Sequence, residues 1–379
     1  MKKIAIIGTY RMAWIYGINA KEMGIETHSF GIEENPICKS TVTEHHVMNI
    51  LDMDALVDKC REIGIDGVVA TTELTVSVCA YVAEKLGLCG MSYSVAREVT
   101  DKYRNRKLCK RLQYLQQPNF IEINDLNEFN KHSFEFPIIL KPISRGGKRG
   151  IIVVNQKEDL ENAFLFAKKE GGNAPVIIEE YITGGKEYSV ESLSYKGKHY
   201  IIQVTEKITS GPPHCVELGH HQPAALSDGM RYKVELAIKE GLTAIGVDNT
   251  ACHTEIKIVD NQIYLIEFNT RPGGDHIAWP LTTLSTGYSY IKGALRIALD
   301  DFIPVDTTKL QQSYAGVYFV TTQSAHLKPI FDSCDGESWL YEKNKVSEDL
   351  VPLVHNDCYG VNYIMYLSKK GRIELNENI

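Results

Sequence analysis

The first hundred residues alternate between short apolar segments and longer amphipathic ones. The apolar segments read "KKIAIIG", "IETHSFGI" and "IDGVVAT", and the amphipathic ones read "AWIYGINAKEMG", "LDMDALVDKCREIG" and "TVSVCAYVAEKLG". Strands that alternate with helices of this length predict a parallel sheet with crossover helices. The turn after the first strand, "GTYRMA", contains Gly8 but lacks the second and third glycines of the dinucleotide-binding fingerprint. A dehydrogenase is therefore the weakest functional class.

Length and composition narrow the class of protein further. A chain of 379 residues predicts about two or three domains. The net charge of −7 argues against a nucleic-acid partner. Nine scattered cysteines without a C-x-x-C pair are typical of reduced thiols in a cytosolic protein. No segment approaches the roughly 18 apolar residues that span a bilayer, so we expect a cytoplasmic protein with no membrane partner.

A predicted strand near residue 265 ends in an unusual polar series. The segment "IYLIEFNTRPGGD" places Glu267, Asn269 and Arg271 two residues apart, and in an extended chain such residues share one face. Oxygen ligands of this kind suit Mg²⁺, which prefers one or two carboxylates together with phosphate oxygens and water. The alternative is an exposed hairpin face with unpaired polar groups.

The register of this hairpin decides whether a second carboxylate joins the first. The preceding strand contains Glu255 in "HTEIKIVDN". A two-residue turn would place Glu255 opposite Ile266, whereas a three-residue turn, Asp260 to Gln262, would place it opposite Glu267. We expect the three-residue turn, which brings the two Cβ atoms to about 5 Å. Like charges at that distance require a cation between them.

Two further segments are weaker indications when taken singly. "FPIILKPISRGGKRG" is a strand that carries Lys141 into a glycine-rich basic loop, which could fold over phosphates but also resembles an ordinary surface loop. "VIIEEYITGGKEYS" is a strand that ends in Glu179 and Glu180, followed by Glu187. Its backbone edge could contact an adenine, although a solvent-facing strand end is the commoner explanation.

In order and spacing, these segments together resemble the ATP-grasp superfamily. The matching features are the Asp101–Lys102 pair, Lys141 with its loop, the "EEYI" hinge, Glu187, Glu255 and "EFNTRPGGD". The last segment, and the loop "PPHCVELGHHQPA", look most like carboxylate–amine ligases such as L-amino-acid ligases and carnosine synthase. The resemblance covers roughly residues 1–300. It implies a doubly wound parallel N-terminal domain, a small ATP-lid subdomain and a larger mixed or antiparallel α+β domain.

The resemblance also implies boundaries and residue roles. The expected parts are an N-terminal α/β domain at residues 1–97 and an ATP lid with its connecting helix at residues 98–184. They are followed by a large subdomain with the metal site at residues 185–300 and a β-rich segment that packs on it at residues 301–379. The expected ATP-binding residues are Lys102, Lys141, Ser144, Arg145, Gly146, Gly147, Lys148, Glu179, Glu180, Tyr181, Ile182 and Glu187. Glu255, Glu267 and Asn269 would hold two Mg²⁺ ions, with Mn²⁺ as an alternative. Arg271, Gly273 and Gly274 would stabilise the activated acyl group.

Substrate contacts are the least constrained part of the prediction. His253 shares a strand face with Glu255, and His220 lies in the histidine-containing loop, although most histidines are structural hydrogen-bonders. Glu73 follows the carboxyl end of a predicted parallel strand, where α/β sheets bind ligands. It would bind the amine, or it would simply occupy the first turn of a helix capped by neighbouring threonines.

The predicted activity is ATP-dependent amide or peptide bond formation through an acyl phosphate, with release of ADP and phosphate. The substrates would be a small-molecule acid and amine, and a homodimer is left open. Two alternatives are kept. One is an ATP-grasp ligase of nucleotide biosynthesis that acts on a phosphoribosyl amine, and the other is a non-catalytic nucleotide-binding sensor.

Overall fold

The structure is a computed structural model that describes residues 1–143, 146–353, 355 and 358–375. Ser144 and Arg145, two of the predicted ATP-binding residues, lie outside the described residues. Within those residues, no helix is both long enough and apolar enough to cross a membrane.

The N-terminal sheet has four parallel strands in the order β3-β2-β1-β4. Its strands are β1 (Lys3–Ile7), β2 (Glu26–Gly31), β3 (Glu44–Val47) and β4 (Gly67–Ala70), and its helices are α1 (Arg11–Glu22), α2 (Met53–Ile63), α3 (Glu73–Leu86) and α4 (Tyr93–Val99). Ile4 and Ile6 pack with α1 on one face, while Ala5 and Ile7 pack with α2 and α3 on the other. The predicted doubly wound parallel sheet is confirmed.

A smaller antiparallel sheet follows, with the strand order β5-β8-β6-β7. Its elements are α5 (Lys102–Leu108), β5 (Phe120–Ile123), α6 (Leu126–Phe129), β6 (Ile138–Pro142), β7 (Ile152–Val154), α7 (Leu160–Glu170) and β8 (Val176–Glu180). Helix α7 buries the predicted stripe of Leu160, Phe164 and Ala167 against the sheet.

The basic segment at residues 100–115 is helical only in its first half, because α5 ends at Leu108. The chain then turns to run beside the strand around Leu265. The amide of Gln116 donates to the carbonyl of Ile263, and its carbonyl accepts from the amide of Leu265. These two backbone hydrogen bonds replace the helical ones, and Leu115 is buried in the adjoining core.

The third sheet has eight antiparallel strands in the order β13-β12-β9-β10-β11-β14-β16-β15. Its strands are β9 (Lys186–Tyr195), β10 (Lys198–Thr209), β11 (Glu217–Gln222), β12 (Thr250–Val259), β13 (Gln262–Asn269), β14 (Tyr314–Val320), β15 (Leu340–Asn344) and β16 (Asn362–Ser368). Its helices are α8 (Asp228–Ala244), α9 (Thr282–Thr286), α10 (Tyr290–Ala298) and α11 (Lys328–Ser333). Short 3₁₀ turns span Ile37–Ser40, Lys157–Asp159, Thr307–Lys309, Thr322–Leu327 and Cys358–Gly360, and a π-helical turn spans Ile277–Leu281.

Two features connect these parts of the chain. The last three strands extend the large sheet edge to edge, because β14 pairs with β11. Helix α10 lies between the N-terminal and large sheets, and its Ile291 and Leu295 share one buried cluster with Ile4 of β1 and Leu193 of β9. The N-terminal turns are thereby brought beside the large sheet. The boundaries at residues 97, 184 and 300 stay a prediction.

Candidate active site

A cavity of about 880 Å³ is lined by residues from all three sheets. The N-terminal sheet contributes the turns after β1 and β4, at the carboxyl ends of parallel strands, where α/β folds bind ligands. The small sheet contributes β6, β8 and the glycine-rich loop, and the large sheet contributes β12 and β13. The volume lies within the range of small-molecule sites.

The hairpin of β12 and β13 places Glu255 directly opposite Glu267. This pairing is confirmed, but the predicted three-residue turn is wrong. The turn has two residues, Asp260 and Asn261, both at positive φ, as in the tight hairpin turns that match strand twist. A β-bulge at Ile266 supplies the extra residue that shifts the register and brings the carboxylates together.

Each of these two carboxylates contacts a different lysine. Lys102 Nζ lies 2.5 Å from Glu267 Oε1, and Lys207 Nζ lies 2.7 Å from Glu255 Oε1. The two ammonium groups offset the repulsion between the acids. Burial opposes ionisation, yet Lys207 keeps the pKa of Glu255 well below its usual range. Asn269 follows two residues after Glu267 and also lines the cavity.

Lys207 also forms a salt bridge with a second acid, Glu217. Lys207 Nζ lies 2.8 Å from Glu217 Oε1, and although burial works against its charge, Glu217 and Glu255 raise the pKa of Lys207. His220 Nε2 lies 3.1 Å from the other oxygen of Glu217. His220 is fully buried, does not line the cavity and has a pKa lowered by burial. The structure therefore does not bring His220 to the cavity wall, and its role as a substrate contact stays a prediction.

His253 does line the cavity and lies between two carboxylates. Its Nδ1 contacts Glu191, and its Nε2 is 3.3 Å from Glu255 Oε1. Despite the opposing effect of burial, Glu191 and Glu255 raise the pKa of His253 to about 9, so the ring is a cation at neutral pH.

The two glycines after Arg271 differ in position. The amide of Gly273 donates to Glu191 Oε2 at 3.2 Å, and a Cβ at this residue would lie 2.5 Å from His253 Nδ1. Gly273 thus allows close packing with the His253–Glu191 pair. Its N–H bonds Glu191 rather than facing the cavity, and its role in stabilising an acyl group stays a prediction. Gly274 lines the cavity.

The small sheet contains a compact triad of charges around Glu179. Lys141 Nζ lies 2.6 Å from Glu179 Oε2, and Arg106 Nε lies 2.6 Å from Oε1. Arg106 also donates to the carbonyls of Leu265 and Ile266 on β13. Burial opposes the ionisation of Glu179, but Arg106 and Lys141 lower the pKa of Glu179 to about 2. Glu179 therefore links α5, β6 and β13 electrostatically.

The hinge after β8 presents its backbone at the cavity wall. Tyr181 and Ile182 line the cavity, and the Ile182 carbonyl accepts a hydrogen bond from Lys257 Nζ at 2.7 Å. That ammonium also lies 5.1 Å from the centroid of the Tyr181 ring. The Glu180 carboxylate accepts from the backbone and side-chain nitrogens of Asn119. These contacts hold the hinge in place.

The glycine-rich loop reaches two predicted ligand-binding acids. Lys148 Nζ lies 3.4 Å from Glu187 Oε2. Gly146 and Gly147 line the cavity, and a Cβ on Gly146 would lie 2.7 Å from Glu73 Oε2. The loop therefore contacts both the large sheet and the start of α3.

Glu73 points into the cavity, and the threonines beside it form the start of α3. The Thr72 amide donates to Thr75 Oγ1 at 3.1 Å. Glu73 Oε1 lies 3.5 Å from Lys102 Nζ, and Oε2 is buried without a hydrogen-bond partner among the described residues. Burial raises the pKa of Glu73. The carboxylate is thus available to a ligand.

The far end of the cavity is lined by arginines and an aromatic residue. Arg271 donates to the carbonyl of Pro272, and its buried Nε has no hydrogen-bond partner in the part of the chain that the structure describes. The Arg11 guanidinium stacks against Trp14 and Tyr359, each ring centroid being 5.2 Å away. Tyr359 belongs to the C-terminal segment, which therefore contributes to the cavity wall.

Comparison with known proteins agrees with this geometry. Residues 134–279 match the family described as ATP-grasp domain. The fold of the chain is similar to that of an L-amino acid ligase from Bacillus licheniformis, at a TM-score of 0.79 and 21% identity over 97% of this chain and 94% of that one. It is also similar to the ADP complex of N5-carboxyaminoimidazole synthetase from Staphylococcus aureus, at a TM-score of 0.77 and 16% identity over 97% and 93%.

Sequence relatives match a smaller share of the chain and are longer proteins. Alanine–anticapsin ligase from Bacillus subtilis is 26% identical over 234 residues, which are 55% of this chain and 49% of the ligase. Urea amidolyase from Saccharomyces cerevisiae is 23% identical over 276 residues, which are 69% of this chain and 15% of that protein. The chain thus spans half or less of these two relatives. The predicted ATP-grasp fold class is confirmed.

Four charged residues at or beside the cavity were not predicted from the sequence. They are Arg106, Glu191, Lys207 and Lys257. Arg106 lies four residues after Lys102, and that spacing places both on one face of α5. Glu191, Lys207 and Lys257 interrupt apolar strands, and a charge inside such a strand indicates a buried partner.

Proposed function

We propose that this protein is an ATP-dependent carboxylate–amine ligase that joins small molecules such as amino acids through an acyl phosphate. The observation that carries the proposal is the pair Glu255 and Glu267, opposed on one hairpin face at the wall of a cavity that also contains Lys102 and Arg271. Such a cluster suits the transfer of a phosphoryl group, in which negative charge must be neutralised.

ATP would lie between the small and large sheets. The hinge backbone at Glu180 to Ile182 would bind the adenine, and Glu187 would bind the ribose. Lys102, Lys141 and Lys148 would contact the phosphates. Lys141 keeps this role although it is paired with Glu179, because an ammonium group has three donors. Gly146 and Gly147, with Ser144 and Arg145, would close over the phosphates and exclude water.

The side chains present fit a hard divalent cation. Glu255 and Glu267 offer carboxylate oxygens, and Asn269 offers an amide oxygen. Each of the two carboxylates contacts a lysine. We propose two Mg²⁺ ions, with Mn²⁺ as a substitute. When bound, the metal neutralises charge on the transferred phosphoryl group.

Two steps follow from this arrangement. A substrate carboxylate oxygen attacks the γ-phosphorus of ATP, and ADP leaves. The amine nitrogen then attacks the acyl carbon, and phosphate leaves. Arg271 and the N–H of Gly274 would stabilise the negative charge on the acyl oxygen in the second step.

Substrate contacts follow from the two ends of the cavity. Glu73 would bind the substrate ammonium group and accept its proton before attack, because its carboxylate faces the cavity and has a raised pKa. Arg11, held against Tyr359, would bind the acid. His253 is a cation at neutral pH and so would position Glu255 rather than act as a base.

A nucleotide-biosynthesis ligase acting on a phosphoribosyl amine is the second candidate, because the fold is similar to N5-carboxyaminoimidazole synthetase. Among the cavity-lining residues from the first 97, however, Arg11 is the only cation. One arginine is little to bind a sugar phosphate. A nucleotide sensor would have no need for Arg271 and its unbonded Nε. The cytoplasmic location and a homodimer stay predictions.

The decisive experiment incubates the protein with ATP, Mg²⁺ and pools of amino acids and measures ADP and phosphate. We expect release that requires two substrates. The same assay with pools of phosphoribosyl amines tests the second candidate function. Formation of AMP and pyrophosphate would exclude the acyl-phosphate route, and ATP binding without turnover in any pool would favour the sensor.

A further inference from the structure

A second cluster of metal-binding side chains lies on the N-terminal sheet, outside the cavity. His28 on β2 is opposite Glu44 on the edge strand β3, and His46 follows on the same face of β3. None of the three lines the cavity. One donor atom from each lies within 4.8 Å of the other two.

The distances between these atoms are close to the edges of a coordination tetrahedron. His28 Nδ1 lies 3.0 Å from His46 Nε2 and 3.6 Å from Glu44 Oε2, and His46 Nε2 lies 3.8 Å from the same oxygen. With zinc–ligand bonds of about 2.0–2.1 Å and tetrahedral angles, two ligand atoms are about 3.4 Å apart. Shifts of a few tenths of an ångström would suffice for all three to bind one ion.

An outer carboxylate orients the first histidine. His28 Nε2 lies 2.9 Å from Glu26 Oε1, and this carboxylate is also 3.3 Å from Lys3 Nζ. A histidine that donates from one nitrogen to a carboxylate presents the lone pair of the other nitrogen, which is the arrangement around most metal-bound histidines. The tautomer with Nδ1 free is therefore favoured by the fold itself.

The surroundings of the cluster hold its rings in place while leaving one side accessible. The His46 ring stacks on the buried Phe30 at 4.8 Å between centroids. Glu44 is exposed on the edge strand, which leaves room for a water molecule as fourth ligand.

We propose that His28, Glu44 and His46 form a site for Zn²⁺, with water as the fourth ligand, which fastens the edge strand β3 to β2. Two imidazole nitrogens favour a late transition metal over Mg²⁺. The alternative is a hydrogen-bonded histidine pair that binds no metal.

The test is a Zn²⁺ titration of the full chain after chelator treatment, with excess Mg²⁺ present to occupy oxygen-ligand sites. We expect one Zn²⁺ per chain in the wild type and at least a tenfold weaker affinity in Glu44→Gln and His46→Ala. His45→Ala is the matched control, because His45 is adjacent but bonds Ser29 and the Glu33 carbonyl instead. It should keep wild-type affinity.

Co²⁺ substitution separates this site from the cysteines. Visible bands of a tetrahedral ion without a thiolate charge-transfer band would support the assignment, and loss of those bands in Glu44→Gln would place the ion. Unchanged affinity in Glu44→Gln and His46→Ala, a thiolate band, or no Zn²⁺ binding by the wild type would each overturn it. Glu44→Gln changes an exposed side chain, so a folding defect is not expected to obscure the result.

Discussion

Two groups of charges line the cavity, and they differ in how completely they are paired. In the first, Arg106 and Lys141 hold Glu179, whose side chain is 3% exposed and whose two oxygens are both bonded. In the second, Glu255 and Glu267 each contact a lysine, but Glu255 is 15% and Glu267 19% exposed. We call these the closed triad and the open pair.

The difference indicates separate roles. A buried carboxylate with all its partners present contributes to the fold, and removing it would leave two cations without a counter-charge. The open pair still presents carboxylate oxygen atoms to the cavity, so a bound cation can contact them beside the lysines or in place of them. Substitution of Glu179 should therefore change stability, and substitutions in the open pair should change turnover.

The largest effect is expected from Glu267→Gln. Loss of one carboxylate from the open pair should lower ATP turnover by about a hundred- to a thousandfold, because charge on the transferred phosphoryl group is no longer neutralised. The measurement is ADP release under saturating ATP and Mg²⁺. The unfolding midpoint should change little, since Lys102 retains Glu73.

Glu235→Gln is the control for that measurement, because it removes a partly exposed carboxylate from α8 that does not line the cavity and pairs with Lys239. It should turn over ATP like the wild type. If Glu267→Gln did the same, the open pair would not be the catalytic cluster.

Glu179→Gln should reveal the structural role of the closed triad. Breaking a buried ion pair from one side costs about 3–5 kcal/mol, and the denaturant midpoint should fall accordingly. Glu180→Gln is the neighbouring control, with an exposed carboxylate bonded to Asn119, and should cost about 1 kcal/mol or less. Equal losses in both variants would contradict the distinction between the two groups.

The His253 imidazolium should make stability depend on pH. Its pKa is raised from 6.5 to about 9 in the folded protein, so the folded state binds the proton more tightly than the unfolded state does. The stabilisation is complete below pH 6.5 and is lost as pH rises through 9. The loss amounts to about 3 kcal/mol at roughly 1.4 kcal/mol per pKa unit.

Denaturation curves between pH 6 and 10 would measure this dependence, and His253→Gln should lack that part of it. A wild-type stability that is flat or rising over this window, after comparison with His253→Gln, would contradict the imidazolium assignment.

The smallest effect concerns the turn that joins β12 to β13. Asn261 has φ +62, which a β-branched residue adopts only with strain, so Asn261→Val should cost about 1–2 kcal/mol in unfolding free energy. Asn261→Gly should remain near the wild type. Turnover per folded molecule should be unchanged in both, because the bulge at Ile266 and not the turn sets the pairing of Glu255 with Glu267. A selective loss of turnover in Asn261→Val would show that the turn controls the register.

Much of the fold was predictable because local patterns and tertiary packing agree. The alternation in the first hundred residues predicted the parallel sheet, and the two-residue spacing after Ile266 predicted a shared face for Glu267 and Asn269. The turn length was predicted wrongly because a bulge and a longer turn place the same residues opposite each other. No local pattern at Ile266 distinguishes them.

The surroundings of Gly273 and His220 could not be predicted from the sequence for a different reason. Both depend on buried carboxylates that are distant in sequence, Glu191 for Gly273 and Glu217 for His220. The strands β9 and β11 that carry them are brought beside their partners only when the large sheet forms. The sequence shows the acids but does not show which groups they neutralise.

The sequence by itself determined the order of strands and helices, the kinds of ligand atom and the spacing of the cavity acids, because these depend on side-chain chemistry and on periods of two or 3.6 residues. Only the tertiary structure decided which charges are paired internally and which face the cavity. Pairing requires contacts of about 3 Å between residues far apart in the chain, and burial strengthens or weakens each charge according to the partners that packing supplies.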